Sequence, residues 1–323
     1  MLRRKIKITG IIGLSPNKYT KNKQEFLHSQ YLVEKYSLDY VEINAYGKFT
    51  QHELRVLAAK KIDILIVAGW QRLIPQELID SVRISTVGIH GSDQGIEKGR
   101  GRSPQNWALL LEAEKFLISI FQITQGIDNG KIINSKRFNL SPLDDIYSCH
   151  IKVAFNTVDM IEEFLNEPEI QLINASCQSD DSEYFPKRIP EDGLIDWNQE
   201  IAFLEKFVSA LTKPYPGAFA YIHETKIFIW RLREIQVFDN LEVRSTAKLL
   251  HILDGSKLII QTPKGICLVD DFSIDDTNQL VLGCELRGTS LKTQLKKISD
   301  RHKMKYPNLK IAPRLNKIGG KEF

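Results

Sequence analysis

The stretch IDILIVAGWQRLIPQELIDSVRISTVGIH, residues 62–90, decides the fold class of this chain. It opens on a near-continuous apolar run, IDILIVAG at 62–69, which is typical of a parallel strand covered on both faces. PQELIDS then predicts a short helix, and RISTVGIH at 83–90 predicts the next strand. Strands that alternate with helices in this way indicate an α/β fold with a mostly parallel sheet.

The same alternation extends in both directions along the chain. Further strands are predicted at IKITGIIGL (6–14), DYVEI (39–43) and FLISIFQIT (116–124), and further helices at 23–36, 50–61 and 103–113. A long amphipathic region at 141–167 should close this domain. We therefore expect a mostly parallel sheet with helices on both faces.

The second half of the chain has a different pattern. Residues 174–193 are polar and contain two prolines, which is typical of a linker. Short alternating segments follow, and they predict a small antiparallel sheet or barrel. The predicted organisation is an N-terminal α/β domain at 1–173, a linker at 174–193, a β-rich domain at 194–300 and a basic tail at 301–323. The many Lys and Arg residues of this tail favour a solvated, disordered end, and phosphate binding is the alternative.

Composition excludes several classes of protein. Of the 323 residues, 42% are apolar and 26% are charged, as in ordinary globular proteins, and no run of apolar residues is long enough to span a membrane. The four cysteines are scattered and form no C-x-x-C pair, which argues against a zinc site or disulfides. No metal is indicated, and the cysteine usage fits a cytoplasmic protein.

Two polar residues follow predicted strands. His90 ends one strand, and Asp128 comes shortly after another. Ligands of open α/β sheets bind beyond the strand ends, so the aspartate could orient the imidazole while the histidine takes a proton from an attacking amine. From spacing alone, a structural histidine and an ordinary Asp-Asn-Gly turn are favoured over such a catalytic pair.

Four stretches carry a resemblance to a known family: AGWQRLIPQELID (68–80), GIHGS (88–92), KGRGRSPQNWALL (98–110) and QGIDNGKII (125–133). In order and spacing they resemble the formyltransferases that use formyltetrahydrofolate. The segments RIPEDGLIDWNQ, PYPGAFAYI and KIFIW further along resemble the second domain of the tRNA and sugar branches. The resemblance implies a Rossmann-like catalytic domain, an OB-like C-terminal domain and N10-formyltetrahydrofolate as the donor.

The resemblance also implies roles for individual residues. His90 and Asp128 fall on the family's catalytic histidine and aspartate, and Gly88 falls on its asparagine. The residues implied in folate binding are Trp70, Gln71, Arg72, Leu73, Ile74, Ile127 and Asp128. Those implied in acceptor binding are Gly91, Ser92, Lys98, Arg100, Gly101 and Arg102, where arginine forks suit phosphate or sugar.

Three departures from the family pattern bear on activity. Gly88 lacks a carboxamide that would stabilise the developing oxyanion, and losing such a donor costs about a hundred- to a thousandfold in rate. Asn106, Gln71 or a backbone N–H could replace it; otherwise the enzyme is slow or inactive. The loop from His90 to Lys98 is longer than the family's, and the family's opening strand and helix have no counterpart here.

The implied acceptor is a nucleotide-linked amino sugar, because HGS…KGRGRSP resembles that branch most. The runner-up is methionyl-tRNA formylation, supported by the C-terminal domain and the basic tail. A catalytically degenerate relative that still binds folate or a sugar nucleotide is the third interpretation. No membrane partner is expected, and a homodimer remains open. The sequence does not identify the sugar, the nucleotide or the ring position.

Overall fold

The computed structural model describes residues 6–14, 29–45, 47–70, 72–236 and 244–319. They form two compact units, one comprising Met1–Arg100, Leu117–Arg137 and Val153–Asp181, and the other Gly101–Phe116, Phe138–Lys152 and Ser182–Phe323. The units interleave along the chain, whereas the sequence predicts consecutive domains. The predicted domain boundaries at 173, 193 and 300 stay a prediction.

The secondary structure follows the predicted alternation through the first half. The strands are β1 Gly10–Leu14, β2 Asp39–Ile43, β3 Ile64–Val67, β4 Ser85–Ser92, β5 Arg100–Gly101, β6 Lys115–Gln122, β7 Ile132–Asn139, β8 Tyr184–Phe185, β9 Ala218–Ile222, β10 Thr225–Ile235, β11 Lys248–Leu253, β12 Lys257–Thr262, β13 Gly265–Ile274 and β14 Leu286–Arg287. The helices are α1 Ser29–Tyr36, α2 Gln51–Ala59, α3 Gln76–Ser81, α4 Pro104–Leu110, α5 Ile146–Asn166, α6 Pro168–Ile173, α7 Ile201–Leu211 and α8 Leu291–Lys305. Residues 23–28 of the predicted first helix lie outside the described residues.

The α/β class is confirmed, and its main sheet is mixed. β1 pairs in parallel with β2, and β3 pairs in parallel with β4. The four-stranded sheet has the order β3-β4-β6-β7, in which β6 runs antiparallel to β4. The helix α4, which lies between β4 and β6 along the chain, packs against α7 in the second unit. β3 is half-buried because it lies at the sheet edge.

A capping box begins α2, as the pattern T-x-x-E in the sequence allows. Thr50 accepts from the Glu53 N–H, and the Glu53 carboxylate accepts from the Thr50 N–H at 2.6 Å. Leu57 then packs with Leu14 and Ile43 in a hydrophobic cluster of the first unit. These contacts position the chain that leads into β3.

The second unit is β-rich and antiparallel, as predicted. Among the described residues its main sheet has six strands in the order β11-β12-β13-β10-β9-β14, and α7 packs on β10. The buried side chains of α7 and of the inner sheet face make one hydrophobic cluster.

The C-terminal segment is ordered as far as the structure describes it. Helix α8 continues past residue 300, and Leu315 and Ile318 are buried in the cluster of the second unit. Arg314 pairs with Glu183 at 3.0 Å. The prediction of a solvated, disordered end is therefore wrong for residues 301–319, because apolar residues spaced between the charges are buried there.

No helix within the described ranges combines the length and the apolarity needed to cross a membrane.

Candidate active site

His90 lies in β4, and its ring is held by the backbone. Nε2 is 2.7 Å from the carbonyl oxygen of Gly99, and only 9% of the side chain is exposed. A carbonyl can only accept, so Nε2 carries the proton and the neutral ring presents the lone pair of Nδ1. Nδ1 faces Oδ2 of Asp128 at 3.7 Å, longer than a hydrogen bond.

Asp128 lies in the loop that joins β6 to β7, and its backbone is left-handed with φ of 50°. Asp and Asn adopt this region more readily than most residues. The loop is closed at its neck by the Gln122 N–H, which donates to the carbonyl of Lys131 at 2.9 Å. The fold thus brings His90 and Asp128 together through a hairpin loop, and not through neighbouring ends of parallel strands.

Gly88, two residues before His90, is covered by an aromatic ring. A β-carbon at this position would lie 2.7 Å from Cζ of Phe121 and 3.0 Å from Cγ1 of Ile123. Phe121 is the direct cross-strand neighbour of Gly88 and is 4% exposed. No side chain can be built at position 88 unless this ring moves.

Neither side chain suggested as a replacement donor can be assigned that role. Asn106 is buried in the second unit, where its Nδ2 donates to the carbonyl of Ala210 at 2.6 Å. Gln71 lies outside the described residues. A backbone N–H is the remaining alternative.

The segment implied in folate binding is split between core and surface. Trp70 packs against Phe49, with ring centroids 5.6 Å apart, and Ile74 packs against the same hydrophobic cluster. Arg72 is exposed and Leu73 is 59% exposed. Ile127 is half-buried beside Asp128.

The residues implied in acceptor binding serve largely to hold their own loop. Gly91 and Ser92 are buried, and the Ser92 hydroxyl donates to the carbonyl of Gly95 at 2.6 Å. Lys98 pairs with Asp181 at 2.7 Å. Arg100 is 6% exposed.

Gly101 and Arg102 belong to the second unit. A β-carbon on Gly101, whose φ is 102°, would lie 2.7 Å from the carbonyl oxygen of Phe185, so the close approach of that strand requires glycine. The Arg102 N–H donates to the same carbonyl at 3.2 Å.

Three contributors to this site were not predicted: the carbonyl of Gly99, the ring of Phe121 and the side chain of Gln178. Gln178 donates from Nε2 to the carbonyl of Asp128 at 2.9 Å. It falls in the polar segment predicted as a linker, and no local pattern indicates a contact with a residue fifty positions earlier. No sequence pattern indicated the role of Phe121 either, because its contact with Gly88 depends on the antiparallel pairing of β4 and β6.

The described part of the chain contains no set of side chains arranged to bind a metal ion. No three His, Cys, Asp or Glu side chains converge there in a way that could hold an ion. All four cysteines are free thiols.

Two family models match the chain. Formyl transferase matches residues 5–165, and the formyl transferase C-terminal domain matches residues 188–281. The chain therefore belongs to the formyl transferase family, whose members transfer formyl groups and use N10-formyltetrahydrofolate as the donor.

One curated relative is the bifunctional polymyxin resistance protein ArnA of Wigglesworthia glossinidia brevipalpis, 32% identical over 176 residues. That match covers 54% of this chain and 27% of ArnA, so the chain spans only about a quarter of that relative.

Solved structures share the fold. HypX from Aquifex aeolicus in complex with tetrahydrofolic acid superposes with a TM-score of 0.60 at 19% identity, over 82% of this chain and 44% of HypX. Methionyl-tRNA formyltransferase from Clostridium thermocellum superposes with a TM-score of 0.52 at 21% identity, over 71% of this chain and 94% of that protein.

Proposed function

We propose that this chain transfers the formyl group of N10-formyltetrahydrofolate to the primary amine of a nucleotide-linked amino sugar. The observation that carries the proposal is the arrangement of His90, whose Nε2 donates to Gly99 and whose Nδ1 faces Asp128. This arrangement leaves one basic nitrogen available beside a carboxylate, which is what proton removal from an attacking amine requires.

The proton passes through Nδ1 of His90. When Nδ1 gains a proton, the imidazolium has N–H groups on both sides, one toward Gly99 and the other toward the Asp128 carboxylate at 3.7 Å. The negative charge of Asp128 stabilises this charged ring, and the ring keeps its orientation because Gly99 holds the opposite edge. Asp128 therefore stabilises the product of proton transfer, whereas the Gly99 carbonyl selects the tautomer.

The reaction balances without an enzyme-bound covalent intermediate. The acceptor nitrogen forms a bond to the formyl carbon, and the bond from that carbon to N10 of the donor breaks. His90 takes the proton that leaves the amine and passes it to N10 of the departing tetrahydrofolate. The oxygen that develops negative charge has no side-chain donor at position 88, so we assign its stabilisation to the positive charge of the imidazolium, whose N–H groups face Gly99 and Asp128.

The donor is a substrate, and the described residues offer it an apolar surface. Leu73 exposes an aliphatic side chain, and Ile127 is half-buried directly before Asp128. Aliphatic contacts of this kind suit the flat faces of the folate ring system, whose polar groups lie at its edges. We assign Leu73 and Ile127 to donor binding on this basis.

The acceptor class rests on the resemblance of residues 90–102 to the sugar branch and on the position of the basic loop. Because the Gly99 carbonyl contacts the His90 ring, Lys98 and Arg100 flank the site directly. The Lys98 ammonium pairs with Asp181 at a partly exposed position. An anionic acceptor could compete for this lysine by displacing the carboxylate, which is how a phosphate would engage it.

A second candidate function is supported by Gly88 and Phe121. A phenyl ring packed over the glycine excludes an amide donor from this point of the site. A relative that binds folate or a sugar nucleotide without turnover would tolerate this replacement. The two candidates differ in turnover and not in binding.

The test measures tetrahydrofolate release from N10-formyltetrahydrofolate against a panel of nucleotide-linked amino sugars, with methionyl-tRNA alongside. We expect turnover on one sugar, a loss of at least about a hundredfold in His90→Ala, and no loss in His52→Ala, an exposed histidine of the same unit. Turnover only on methionyl-tRNA would show that the acceptor is the tRNA and not a nucleotide-linked amino sugar. Folate binding without turnover on any acceptor would favour the degenerate relative.

A further inference from the structure

Residues 176–181, here called the strap, run beside the candidate site and are tied to it along their length. The N–H of Ile132 donates to the carbonyl of Ser176 at 2.8 Å, and the N–H of Ser176 donates back at 2.9 Å. At the other end, Lys98 donates to the backbone carbonyl and the carboxylate of Asp181, at 2.9 and 2.7 Å. The strap thus joins the start of β7 to the basic loop that follows β4.

Gln178, in the middle of the strap, uses its whole carboxamide. Its Oε1 accepts from Nε of Arg100 at 3.1 Å and from Nη2 at 2.7 Å. Its Nε2 donates to the carbonyl of Asp128 at 2.9 Å and to the carbonyl of Gly130 at 2.7 Å. Two acceptor sites and two donor hydrogens are all that this side chain has, so every one is engaged.

The two carbonyls that Gln178 binds belong to the loop that carries Asp128. Within this loop, Thr124 donates to Oδ1 of Asn129 at 2.6 Å, and position 130 requires glycine because a β-carbon there would collide with the carbonyl of Gln122. Gln178 adds a fixed point on either side of residue 129. Asp128 has a left-handed backbone with φ of 50°, so a hold on its carbonyl also restrains the Cα–Cβ bond from which the carboxylate extends.

Arg100 completes the connection to His90. It is 6% exposed, and it directly follows Gly99, whose carbonyl orients the imidazole. The hydrogen bonds from Arg100 to Gln178 and from Gln178 to Asp128 therefore link the neighbour of Gly99, at one edge of the His90 ring, to the residue that faces the other edge.

We infer that Gln178 is a positioning residue for formyl transfer, which sets the Asp128 carboxylate against Nδ1 of His90. This inference rests on the proposed function. Arg100, implied by resemblance in acceptor binding, acts here as the buried anchor of Gln178. A shift of the loop by about 1 Å would separate the carboxylate from the charged ring, and misplacements of that size cost about a hundredfold in rate.

The test compares Gln178→Glu with Gln171→Glu. Glutamate at 178 keeps the shape and still accepts from Arg100, but it cannot donate to the carbonyls of Asp128 and Gly130. Gln171 is an equally half-buried glutamine of the same unit, whose Nε2 donates to the carbonyl of Glu163 at 2.7 Å, so the control loses the same kind of bond away from the site. Gln178→Met separates lost donation from added charge.

Two readouts are taken on the full chain. We expect kcat to fall by about 10- to 100-fold in both Gln178 variants, with KM for donor and acceptor unchanged, and no change in Gln171→Glu. Hydrogen exchange followed by mass spectrometry should show faster exchange across residues 122–131 in the Gln178 variants only.

The outcomes distinguish the positioning role of Gln178 from the proposed formyl transfer on which it rests. Unchanged exchange across the loop, or a loosened loop with unchanged kcat, would overturn the role of Gln178. A wild-type chain without formyl transfer would overturn the proposed function, and the exchange data would still decide whether Gln178 holds the Asp128 loop.

Discussion

The ring of Phe121, on β6, lies opposite Gly88, on β4, and fills the space that a side chain at position 88 would need. Cζ and Cε1 of the ring stand 2.7 and 2.8 Å from the position of a β-carbon on Gly88. The pairing is a direct cross-strand register in an antiparallel ladder, where opposing side chains contact each other closely. The glycine and the phenylalanine therefore pack as a pair, and a side chain at position 88 requires the ring to move.

Gly88→Asn should destabilise the chain, because it forces a side chain into the ring of Phe121. Overpacking of this kind costs about 1–3 kcal/mol. Phe121→Leu removes the two ring atoms that would collide, and we expect the double variant to be more stable than the sum of the single changes predicts, by about 0.5–3 kcal/mol. Urea unfolding of the four chains in this cycle measures that coupling.

The same double variant tests catalysis. If position 88 lacks a useful donor, Gly88→Asn in the Phe121→Leu background should raise kcat, by up to about a hundred- to a thousandfold. The control is Phe121→Leu alone. A double variant slower than this control would show that the glycine is adapted to the reaction.

Asp128→Asn should lower kcat while folding is retained. Asparagine suits the left-handed backbone at this position, so the loop geometry is kept, but the amide cannot stabilise the imidazolium of His90. We expect a loss of about a hundredfold or more, with KM little changed. Asp80→Asn, at an exposed aspartate of α3, is the matched control. Equal rates in wild type and Asp128→Asn would remove Asp128 from the mechanism.

Glu53 should make stability depend on pH in the acid range. Burial raises the pKa of this carboxyl, but hydrogen bonds from the N–H groups and side chains of Thr50 and Asn44 lower it by more, so the pKa lies below its ordinary value of 4.5. A lowered pKa means that the folded chain binds the proton less readily than the unfolded chain. The stabilisation is therefore complete above pH 4.5 and is lost as the pH falls through the lowered value.

Glu53→Gln removes this dependence. At pH 7 the variant should be less stable by about 1–3 kcal/mol, because an amide cannot accept all the bonds that the carboxylate accepts. Between pH 5 and 3 the difference from wild type should shrink. Urea unfolding across this range measures it, with Glu77→Gln, an exposed glutamate of α3, as the control. A difference that is constant with pH would contradict the assignment.

The cysteines should differ sharply in reactivity. Burial raises the pKa of the Cys149 and Cys267 thiols to about 12, and the nearby carboxylates of Asp144 and Glu205 act in the same direction. Cys177 is exposed. Iodoacetamide at pH 8 should modify Cys177 in the native chain, and Cys149 and Cys267 only after unfolding, because the thiolate is the reactive form. Peptide mass spectrometry checks this order, and native labelling of Cys149 would contradict it.

Most of the first half of the fold could be predicted from periodicity. The apolar run at 62–69 contains β3, and the stretch at 83–90 contains most of β4, because side-chain period and apolar content are local properties. The direction of β6 could not be predicted, since apolar periodicity is the same for a parallel and an antiparallel strand. The order at residues 301–319 was also missed, because a basic composition hides the few apolar residues that are buried.

The sequence by itself determined the α/β class, the β-rich C-terminal part and the family, because these depend on periodicity and on motifs whose residues are close along the chain. Only the tertiary structure decided the arrangement around His90. It placed the Gly99 carbonyl against Nε2, the ring of Phe121 beside Gly88, and the side chain of Gln178 against the loop of Asp128. The last two join residues far apart in sequence, and even the nearby Gly99 bond depends on how its loop folds back. Such contacts are fixed only when the packed chain satisfies its buried polar groups.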